Sequence, residues 1–317
     1  MINKIGIVGG GNIGGVAASE IVNRGLARNI GLVDVAPPDF AKGKCLDIAE
    51  ATPVYGRDVN LEGSKTYEVL EGADFIINTA GVPRKARPDG TFPSREELLA
   101  TNLKITDMVA EGIRKYAPNA FVISIANPLD AIVYRLFKKL KCKPNKIMGM
   151  AGVLDSARYK YFVAKEANVS VENIEAVVLG GHGDTMVPVR SACRVYGLPV
   201  EQFVSKAKLA KIETRTRGAG GEVVGLLGSG SAFVSPAVSA LEMIEAIAFD
   251  KRKILPVAAY LNGEYGVKGL FLGVPAILGR NGVEEIVKIK LTAEEKKALA
   301  VSINAVKGTC AEVDKSK

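Results

Sequence analysis

The chain has 317 residues, of which 48% are hydrophobic, and a formal net charge of +8. This length suffices for two domains with sizeable cores, and no apolar run reaches the length that would span a membrane. The positive residues are dispersed in a way typical of solvated helix faces, without an aromatic-rich basic stripe. The composition therefore favours small anionic partners over nucleic acid or a membrane.

Cysteine content and the N-terminal segment indicate the compartment. The four cysteines are scattered, fit no metal-binding spacing and suggest a reducing compartment, and with a single histidine a zinc site is not expected. The N-terminal segment passes from a short apolar run into glycines without the pattern of a signal peptide. We therefore expect a cytoplasmic protein without a bound metal ion.

In the first half of the chain, short apolar runs alternate with amphipathic segments. Strands are predicted at residues 4–8, 30–34, 74–79, 121–125 and 146–150. Helices are predicted at residues 12–26, 42–51 and 95–116, with a long loop at residues 82–94 that contains three prolines and a glycine. Strands that alternate with helices predict an α/β fold, with a doubly wound parallel sheet of the Rossmann type and right-handed crossovers.

A glycine-rich turn joins the first predicted strand to the first helix. Gly9, Gly11 and Gly14 match the pattern G-x-G-x-x-G. The first glycine permits a tight turn, the second lets the backbone approach a pyrophosphate, and the third lets the helix pack on the strand. The next strand ends at Asp34, 20 residues after Gly14. Its carboxylate would accept hydrogen bonds from a ribose diol and repel a 2′-phosphate, so the motif predicts NAD rather than NADP.

The second half of the chain has a different pattern. Helices are predicted at residues 154–167, 232–249 and 292–306. Strands are predicted at residues 174–179, 187–195, 254–261 and 270–278, the last two antiparallel. The change near Met150 predicts two domains that share an interface. They are a dinucleotide-binding Rossmann domain at residues 1–150 and an α+β substrate-binding catalytic domain at residues 151–317.

His182 is the only histidine in the chain. It follows the apolar run at residues 174–179 and stands between glycines, in the sequence GGHGD at residues 180–184. A strand that ends in glycines places side chains at the rim of a sheet, where α/β proteins bind their ligands. Since histidine is the residue that most often transfers protons near neutral pH, His182 is the one candidate for acid–base chemistry through an imidazole.

Several segments resemble the lactate/malate dehydrogenase family in order and spacing along essentially the whole chain, and most of all its lactate-dehydrogenase-like malate dehydrogenases. They are the glycine turn with Asp34, AGVPRK at 80–85, NPLD at 127–130, VLDSAR at 153–158, GHGD at 181–184, SAF at 231–233 and GEYGV at 263–267. The resemblance implies an NAD-dependent enzyme that transfers a hydride reversibly between (S)-malate and oxaloacetate. It also implies a place in the tricarboxylic acid cycle and a homo-oligomer, either a dimer or a tetramer.

The resemblance implies roles for three residues in proton transfer and carboxylate binding. His182 would be the general acid/base on the substrate hydroxyl, and Asp155 would orient its imidazole and stabilise the protonated form. Arg158 would bind the C1 carboxylate, for which a planar guanidinium is well suited. Asp155 and Arg158 are three residues apart in a predicted helix, so both lie on one helix face.

The resemblance also implies residues around the rest of the substrate and the cofactor. Arg95 would polarise the substrate carbonyl, Arg84 would contact the far end of the substrate, and Asn127 would lie near the nicotinamide and the substrate. The implied cofactor contacts are Gly9, Gly11, Asn12, Ile13, Gly14, Asp34, Asn102 and Asn127.

The loop between Arg84 and Arg95 departs from the family pattern. Ten residues separate these arginines, whereas malate dehydrogenases of this branch have about five and some protozoan lactate dehydrogenases have a similarly lengthened loop. The longer loop would let Arg87 reach the substrate, or Phe92 fill the space. Arg84 and Ala232 favour malate, and the loop length favours lactate. We predict malate dehydrogenase activity, with lactate dehydrogenase activity as the alternative.

Two alternatives come from other classes of protein. A non-catalytic NAD-binding protein would not need a proton relay. The presence together of His182, Asp155, Arg158 and Arg95 therefore argues against it. NAD-dependent glycosidases have a related fold but need a metal site, which a chain this poor in cysteine and histidine does not offer.

Overall fold

The structure is a computed structural model that describes residues 2–83, 94–228 and 230–316; the side chain of Arg95 lies outside this description. Within these residues the α-helices are α1 Asn12–Arg24, α2 Phe40–Tyr55, α3 Arg95–Tyr116, α4 Leu129–Leu140, α5 Gly152–Ala167, α6 Lys206–Leu227, α7 Val234–Ala248 and α8 Ala293–Lys315. The strands are β1 Ile2–Val8, β2 Ala27–Val33, β3 Asn60–Ser64, β4 Phe75–Asn78, β5 Phe121–Ser124, β6 Ile147–Gly149, β7 Ile174–Glu175, β8 Val178–Leu179, β9 Val187–Pro188, β10 Arg194–Val195, β11 Leu198–Pro199, β12 Lys253–Asn262, β13 Lys268–Gly279 and β14 Gly282–Ile286. Short 3-10 helices occur at Tyr67–Leu70, Pro144–Lys146, Val171–Asn173, Arg190–Ala192, Val200–Gln202 and Glu264–Gly266.

Nine strands form one sheet in the order β14-β13-β12-β6-β5-β4-β1-β2-β3. The strands from β6 to β3 are parallel, and β12, β13 and β14 pair antiparallel. The predicted α/β fold with a doubly wound parallel sheet is confirmed. The strand order reverses between β1 and β4, and open α/β sheets bind their ligands outside the carboxyl ends of the strands at such a point. The segments after Val8 and Asn78 therefore border the expected cofactor crevice.

The central parallel strands are buried on both faces. Parallel sheets are covered by helices on each side, so their strands are nearly unbroken apolar runs. The isoleucines without exposed surface in β1, β4 and β5 are Ile5, Ile7, Ile76, Ile77 and Ile123. Full burial of a side chain of this size contributes about 1.5–3 kcal/mol. These strands therefore form a rigid frame for the segments that follow their carboxyl ends.

The two halves of the chain share the sheet and the core. Among the described residues, one pair, Gly149 with Ala258, joins β6 to β12. On the helical side, Arg24 of α1 forms an ion pair with Glu245 of α7 at 3.1 Å. Buried apolar residues of both halves belong to one continuous cluster. The predicted interface between the halves is present, and the division into domains at residue 150 stays a prediction.

Two strand predictions in the second half are wrong in their extent. Residues 174–179 form two short strands, β7 and β8, which belong to different sheets. Residues 187–195 form β9, the 3-10 helix Arg190–Ala192 and β10 rather than one half-exposed strand. The alternating apolar pattern there comes from side chains that a turning backbone buries at intervals: Val187, Val189, Cys193 and Val195. The burial of alternate side chains therefore gives this segment the same apolar pattern that a strand would have.

The sequence analysis did not predict the strands β3, β11 and β14 or the helices α4 and α6. Helix α6 contains four glycines, at 218, 220, 221 and 225, and each costs about 1 kcal/mol of helix propensity relative to alanine. The helix forms because residues at helical spacing are buried on one face: Leu209, Ile212, Thr216 and Ala219. In the part of the chain that the structure describes, no helix is long and apolar enough to cross a membrane.

Candidate active site

Backbone geometry explains the three glycines of the turn after β1. Gly9 has a φ of +98°, which favours glycine, and a Cβ there would lie 2.5 Å from Thr79 Oγ1. A Cβ at Gly14 would lie 1.9 Å from the Gly9 carbonyl oxygen, so only glycine lets α1 start this close to β1. A Cβ at Gly11 would meet nothing within 4 Å, so this residue borders open space that can admit a ligand.

The N-terminus of α1 is suited to an anion. Its N-cap residue, Gly11, has no side chain to accept the first backbone N–H groups, and the first turn contains no acidic residue. The first N–H groups of a helix have no partner within the helix and form the positive end of its dipole. The backbone at Asn12 and Ile13, the first two residues of α1, can therefore donate to a pyrophosphate. Together with the glycine geometry, this fits a dinucleotide.

Asp34, which directly follows β2, accepts two backbone hydrogen bonds. Its Oδ2 accepts the backbone N–H of Gly10 at 2.6 Å, and its Oδ1 accepts that of Ala36 at 2.8 Å. Each carboxylate oxygen has a second lone pair, so the group can still accept from a ribose diol. Asp34 therefore fixes the glycine turn from the end of the neighbouring strand, and its contact with the ribose stays a prediction.

The side chain of Asn102 in α3 is committed to the protein backbone. Its Oδ1 accepts the N–H of Val82 at 2.8 Å, and its Nδ2 donates to the carbonyl oxygens of Val82 at 3.2 Å and Asn127 at 3.0 Å. The residue is 2% exposed. Asn102 thus joins the segment after β4 to the segment after β5, and both of its amide N–H groups are used. Asn127 itself is exposed.

Asp155, Arg158 and His182 form a contiguous cluster. Asp155 and Arg158 lie one turn apart in α5, and His182 lies in the loop after β8. Asp155 Oδ2 is 2.9 Å from His182 Nδ1, and Asp155 Oδ1 is 3.4 Å from Arg158 Nη1. The Asp155 side chain is 2% exposed, whereas the histidine side chain is 19% exposed. A buried carboxylate therefore holds a ring that a ligand can reach.

Two family models cover nearly the whole chain. Residues 3–149 match the lactate/malate dehydrogenase NAD binding domain, and residues 152–316 match the lactate/malate dehydrogenase alpha/beta C-terminal domain. The chain belongs to the lactate/malate dehydrogenase family. The predictions of this family, of an NAD-dependent 2-hydroxy acid dehydrogenase and of NAD as the cofactor are confirmed.

Known dehydrogenases resemble the chain along nearly its full length. A malate dehydrogenase from Geotalea uraniireducens (strain Rf4) is 51% identical over 314 residues, with 96% of each chain covered. The solved structure of apo malate dehydrogenase from Picrophilus torridus has 38% identity and a TM-score of 0.94, and it covers 100% of this chain and 98% of that chain. Lactate dehydrogenase from Cryptosporidium parvum, solved with lactic acid and NAD, has 39% identity and a TM-score of 0.94, and it covers 100% of this chain and 99% of that chain.

The environment of His182 in this dehydrogenase favours the charged form of the ring. Burial alone would lower the pKa of His182, but the charge and hydrogen bond of Asp155 and the charge of Asp130 outweigh burial and raise this pKa above its ordinary value. Arg158 opposes the shift. Since a carboxylate oxygen only accepts, Nδ1 carries the proton that faces Asp155, and Nε2 is left to exchange a proton with a ligand.

Arg158 is a largely buried cation with spare hydrogen-bond donors. Its side chain is 14% exposed, and burial lowers the pKa of its guanidinium. Within the described residues its one ion pair, with Asp155 at 3.4 Å, is longer than the usual charge-assisted hydrogen bond of about 2.7–2.9 Å. Helix α6 passes close by, since a Cβ at Gly220 would lie 3.8 Å from both terminal nitrogens. The guanidinium is therefore able to bind a further carboxylate.

Two residues that the sequence analysis missed hold the backbone of the histidine loop. Asp130 Oδ2 accepts the N–H of His182 at 3.0 Å, and Ser302 Oγ accepts the N–H of Gly181 at 2.9 Å. The sequence contained two signals for Asp130, because it belongs to the family segment NPLD at 127–130 and is the acid in the otherwise apolar run LDAIV at 129–133. It contained none for Ser302, which stands 121 positions from its partner.

Some predicted substrate residues lie outside the described part of the chain. They are Arg84, with the alternatives Arg87 and Phe92, and the side chain of Arg95. Helix α3 begins at Arg95, as predicted, because the Ser94 hydroxyl caps its first turn. The substrate contacts expected of these residues stay predictions.

Proposed function

We propose that this dehydrogenase interconverts (S)-malate and oxaloacetate with NAD as the hydride carrier, and that Asp155, His182 and Arg158 form its reaction centre. The observation that carries the proposal is the position of Asp155, whose two oxygens face the histidine ring at 2.9 Å and the guanidinium at 3.4 Å. One buried residue thus fixes an acid–base group and a carboxylate-binding group beside each other. A 2-hydroxy acid requires this pair, because its hydroxyl and carboxylate are on adjacent carbons.

His182 is the proton-transfer residue of the proposal. In the oxidation of the hydroxy acid, Nε2 of the neutral ring takes the hydroxyl proton, and in the reverse direction the imidazolium returns it to the keto oxygen. Asp155 keeps Nδ1 protonated and stabilises the imidazolium. The raised pKa of His182 favours the acid form that keto-acid reduction needs.

Arginines orient the substrate in this proposal. Arg158 binds the C1 carboxylate through two N–H groups, which places the C2 carbon beside the histidine ring. Arg95 polarises the carbonyl, and Arg84 binds the second carboxylate. Asn127, at the exposed end of the segment after β5, would lie beside the nicotinamide and the substrate. The roles of Arg84, Arg95 and Asn127 rest on the family resemblance.

The residues of the crevice fit the cofactor. The glycine turn and the first residues of α1, Asn12 and Ile13, would bind the pyrophosphate, and Asp34 would bind the ribose diol. When bound, NAD accepts the hydride from the substrate carbon or returns it. Asn102 has both amide N–H groups committed to the backbone of two neighbouring segments, so we assign it to shaping this site.

Charge at the far end of the substrate separates malate from lactate. Oxaloacetate has a second carboxylate that pyruvate lacks, and a carboxylate enclosed without a cation is costly. In the proposal Arg84 supplies that cation, and the likeness to malate dehydrogenases supports it. The lactate alternative rests on the loop length and on the likeness to the Cryptosporidium parvum enzyme, and it is not better supported.

Side-by-side NADH oxidation with oxaloacetate and pyruvate tests the substrate assignment. We expect the wild type to prefer oxaloacetate in kcat/KM, and Arg84→Gln to reduce that preference by about 10²–10⁴-fold, on the order of the 3–5 kcal/mol lost when a buried ion pair loses one partner. Arg87→Gln is the matched control in the same loop and should keep the preference. An unchanged ratio in Arg84→Gln, or a collapse in Arg87→Gln instead, contradicts the assignment.

Compartment, assembly and domain division belong to the same proposal. We assign the enzyme to the cytoplasm, to the tricarboxylic acid cycle and to a homo-oligomer, a tetramer or a dimer. We divide it into a domain at residues 1–150 and another at residues 151–317, which the spans of the two family models support. Light scattering after size-exclusion chromatography should give the mass of two or four chains, and a monomer would contradict the assembly.

A further inference from the structure

Asp130 is a buried carboxylate beside His182 that the proposed reaction does not use. It lies in the first turn of α4, and its Oδ2 accepts the backbone N–H of His182 at 3.0 Å. The histidine loop covers it so closely that a Cβ at Gly181 would lie 3.0 Å from this oxygen. The other oxygen, Oδ1, is buried and has no hydrogen-bond partner among the described residues. An ionised carboxylate in that position is costly unless a positive charge stands nearby.

Three elements packed around Asp130 determine the charge it meets. From the histidine loop, the ring of His182 attracts it, and from α5, Asp155 repels it. From α8, Cys310 faces it; burial first, and then the charge of Asp130, raise the pKa of that thiol to about 12, so the thiol is neutral near neutral pH. Arg158, also from α5, is linked to the cluster through its ion pair with Asp155. The histidine ring is therefore the group whose charge can compensate this carboxylate.

We propose that Asp130 is a positioning residue for proton transfer: it fixes the backbone of His182 through Oδ2, and its negative charge acts with Asp155 to stabilise the imidazolium. The inference rests on the proposed acid–base role of His182. With both carboxylates ionised and Arg158 charged, the cluster has one net negative charge when the ring is neutral and none when it is protonated. Without the charge of Asp130, protonation would instead leave a net positive charge in a poorly solvated site.

The two carboxylates act on different atoms of the same residue. Asp155 accepts from the ring nitrogen Nδ1 at 2.9 Å and sets the tautomer, whereas Asp130 accepts from the main-chain nitrogen at 3.0 Å and holds the loop that carries the ring. Burial raises the pKa of Asp130 to about 6, which lies in the range where histidine titrates. The two groups therefore titrate as a coupled pair.

The single histidine makes a direct measurement possible. In the tag-free protein, labelling histidine with ¹³C gives one imidazole signal, and its titration by NMR reports the pKa of His182 alone. Asp130→Asn keeps the shape and an oxygen that can accept the His182 N–H, but it removes the charge. We expect this variant to lower the pKa of His182 by about one unit.

Two control variants separate charge from position. Asp107→Asn removes a carboxylate of α3 that is bonded at 2.7 Å to Arg135 of α4, the helix that also contains Asp130. This variant should leave the histidine titration unchanged. Ser302→Ala removes the acceptor of the Gly181 N–H without removing a charge. It should lower turnover without lowering the histidine pKa.

The wild type supplies a measurement that needs no variant. The amide proton of His182 donates to Asp130, so its chemical shift should titrate with an apparent pKa of about 6 in addition to following the ring. The pH dependence of kcat/KM for keto-acid reduction is the functional readout. This rate falls as the imidazolium loses its proton, so in Asp130→Asn the fall should move to lower pH by the same amount as the NMR titration.

The outcomes are distinct. A histidine pKa that is the same in folded Asp130→Asn as in the wild type overturns the proposal, and so does a wild-type His182 amide that shows no titration of its neighbouring carboxylate. If the histidine pKa is lowered but the pH dependence of kcat/KM is the same as in the wild type, Asp130 does act on the ring. That result would refute the acid–base function proposed for His182. A lowered pKa and a shifted profile together support both.

Discussion

The cofactor turn, residues 9–14, and the histidine loop, residues 180–184, are both glycine-rich segments that follow a strand, but different forces hold them. In the turn, the missing side chain of Gly14 lets the backbone close on itself, and two side chains add an anchor each: Asp34 accepts the N–H of Gly10, and Thr79 donates to the carbonyl of Gly9. The loop is held by side chains from three helices, which stand 27, 52 and 121 positions from the loop residues they bond. A segment fixed by local sterics can be predicted from its own sequence, whereas a segment fixed by distant side chains cannot.

Removing the loop's imidazole should give the largest effect. In His182→Asn we expect turnover to fall by about 10²–10⁴-fold, because the acid–base group is lost. NADH affinity, measured by fluorescence titration, should stay near the wild-type value, because the cofactor turn does not depend on this residue. Near-normal turnover would contradict the acid–base role of His182. A parallel loss of NADH binding would show that the cofactor turn depends on the histidine loop.

Replacing Asp34 probes the charged side-chain anchor of the cofactor turn. Asp34→Ser should narrow the preference for NADH over NADPH, mainly by weakening the binding of NADH. The substitution removes the acceptor of the Gly10 N–H and also the charge that repels a 2′-phosphate. Each charge-assisted hydrogen bond lost is worth about 1.5–3 kcal/mol, or roughly 10–100-fold in kcat/KM. Asp34→Asn is the matched control, which keeps an acceptor oxygen. A wild type that uses NADPH as well as NADH would contradict this role.

Adding a methyl group to the turn should separate its steric positions from its ligand-facing one. Gly14→Ala places Cβ 1.9 Å from a backbone oxygen, so we expect a loss of about 1–3 kcal/mol of stability and weaker NADH binding. Gly11→Ala meets nothing within 4 Å, so its unfolding temperature without cofactor should match the wild type while NADH binding weakens. Thermal unfolding and NADH titration of both variants check this. Equal destabilisation by the two substitutions would mean that the turn is not held by local sterics.

The pH dependence of stability should show the smallest effect, and it concerns the loop. Because burial raises the pKa of Asp130 from 3.8 to about 6, the folded state holds that proton more tightly than the unfolded state. Its contribution to the free energy of unfolding is therefore complete below its ordinary pKa and is lost as the pH rises through about 6. The raised pKa of His182 acts in the same direction, with its contribution lost above 6.5.

Asp130→Asn removes the first of these losses. The Tm of the variant, relative to the wild type, should therefore rise by a few degrees between about pH 4 and about pH 8. Thermal unfolding of both proteins across that range measures the difference. Asp107→Asn serves again as the control, since its ion pair with Arg135 lowers rather than raises the pKa of the carboxyl that is removed. If the Tm difference between Asp130→Asn and the wild type stays constant or falls as the pH rises, the wild type does not bury a costly charge at Asp130.

The sequence predicted the parallel strands and the glycine turn because one physical cause dominates each. Ile76 and Ile77 lie in a strand that is buried on both faces, and Gly14 cannot be replaced without a clash, so the local pattern reports the structure directly. Helix α6 escaped prediction because its glycines lower the local helix propensity and the buried face that compensates for them is created by tertiary packing.

The sequence predicted the site residues whose own side chains are suited to the chemistry. It did not predict the contacts of residues that hold other residues in place. His182, Asp155 and Arg158 have side chains suited to protons and carboxylates, and the structure brings all three together. The cofactor contact expected of Asn102 stays a prediction, but its hydrogen bonds to backbone atoms of two segments could not be predicted, because an asparagine in a sequence does not reveal which partners it will find. Ser302 is a helix residue whose role exists only once α8 packs on the loop.

The pairing of Gly149 with Ala258 has a consequence for how the sheet is completed during synthesis. Until β12 arrives, β6 is an unpaired edge of the parallel strands, and about a hundred residues of chain separate the two, so at about 5–20 residues per second the edge stays open for roughly 5–20 s. An open edge invites pairing with another chain. This edge is three residues long and ends in Gly149, where a Cβ would lie 3.0 Å from Ala258 Cβ and from Val133 Cγ2. The nascent protein therefore presents only a short edge to other chains, and β12 closes it through a tight contact at which an added Cβ would force its neighbours to shift.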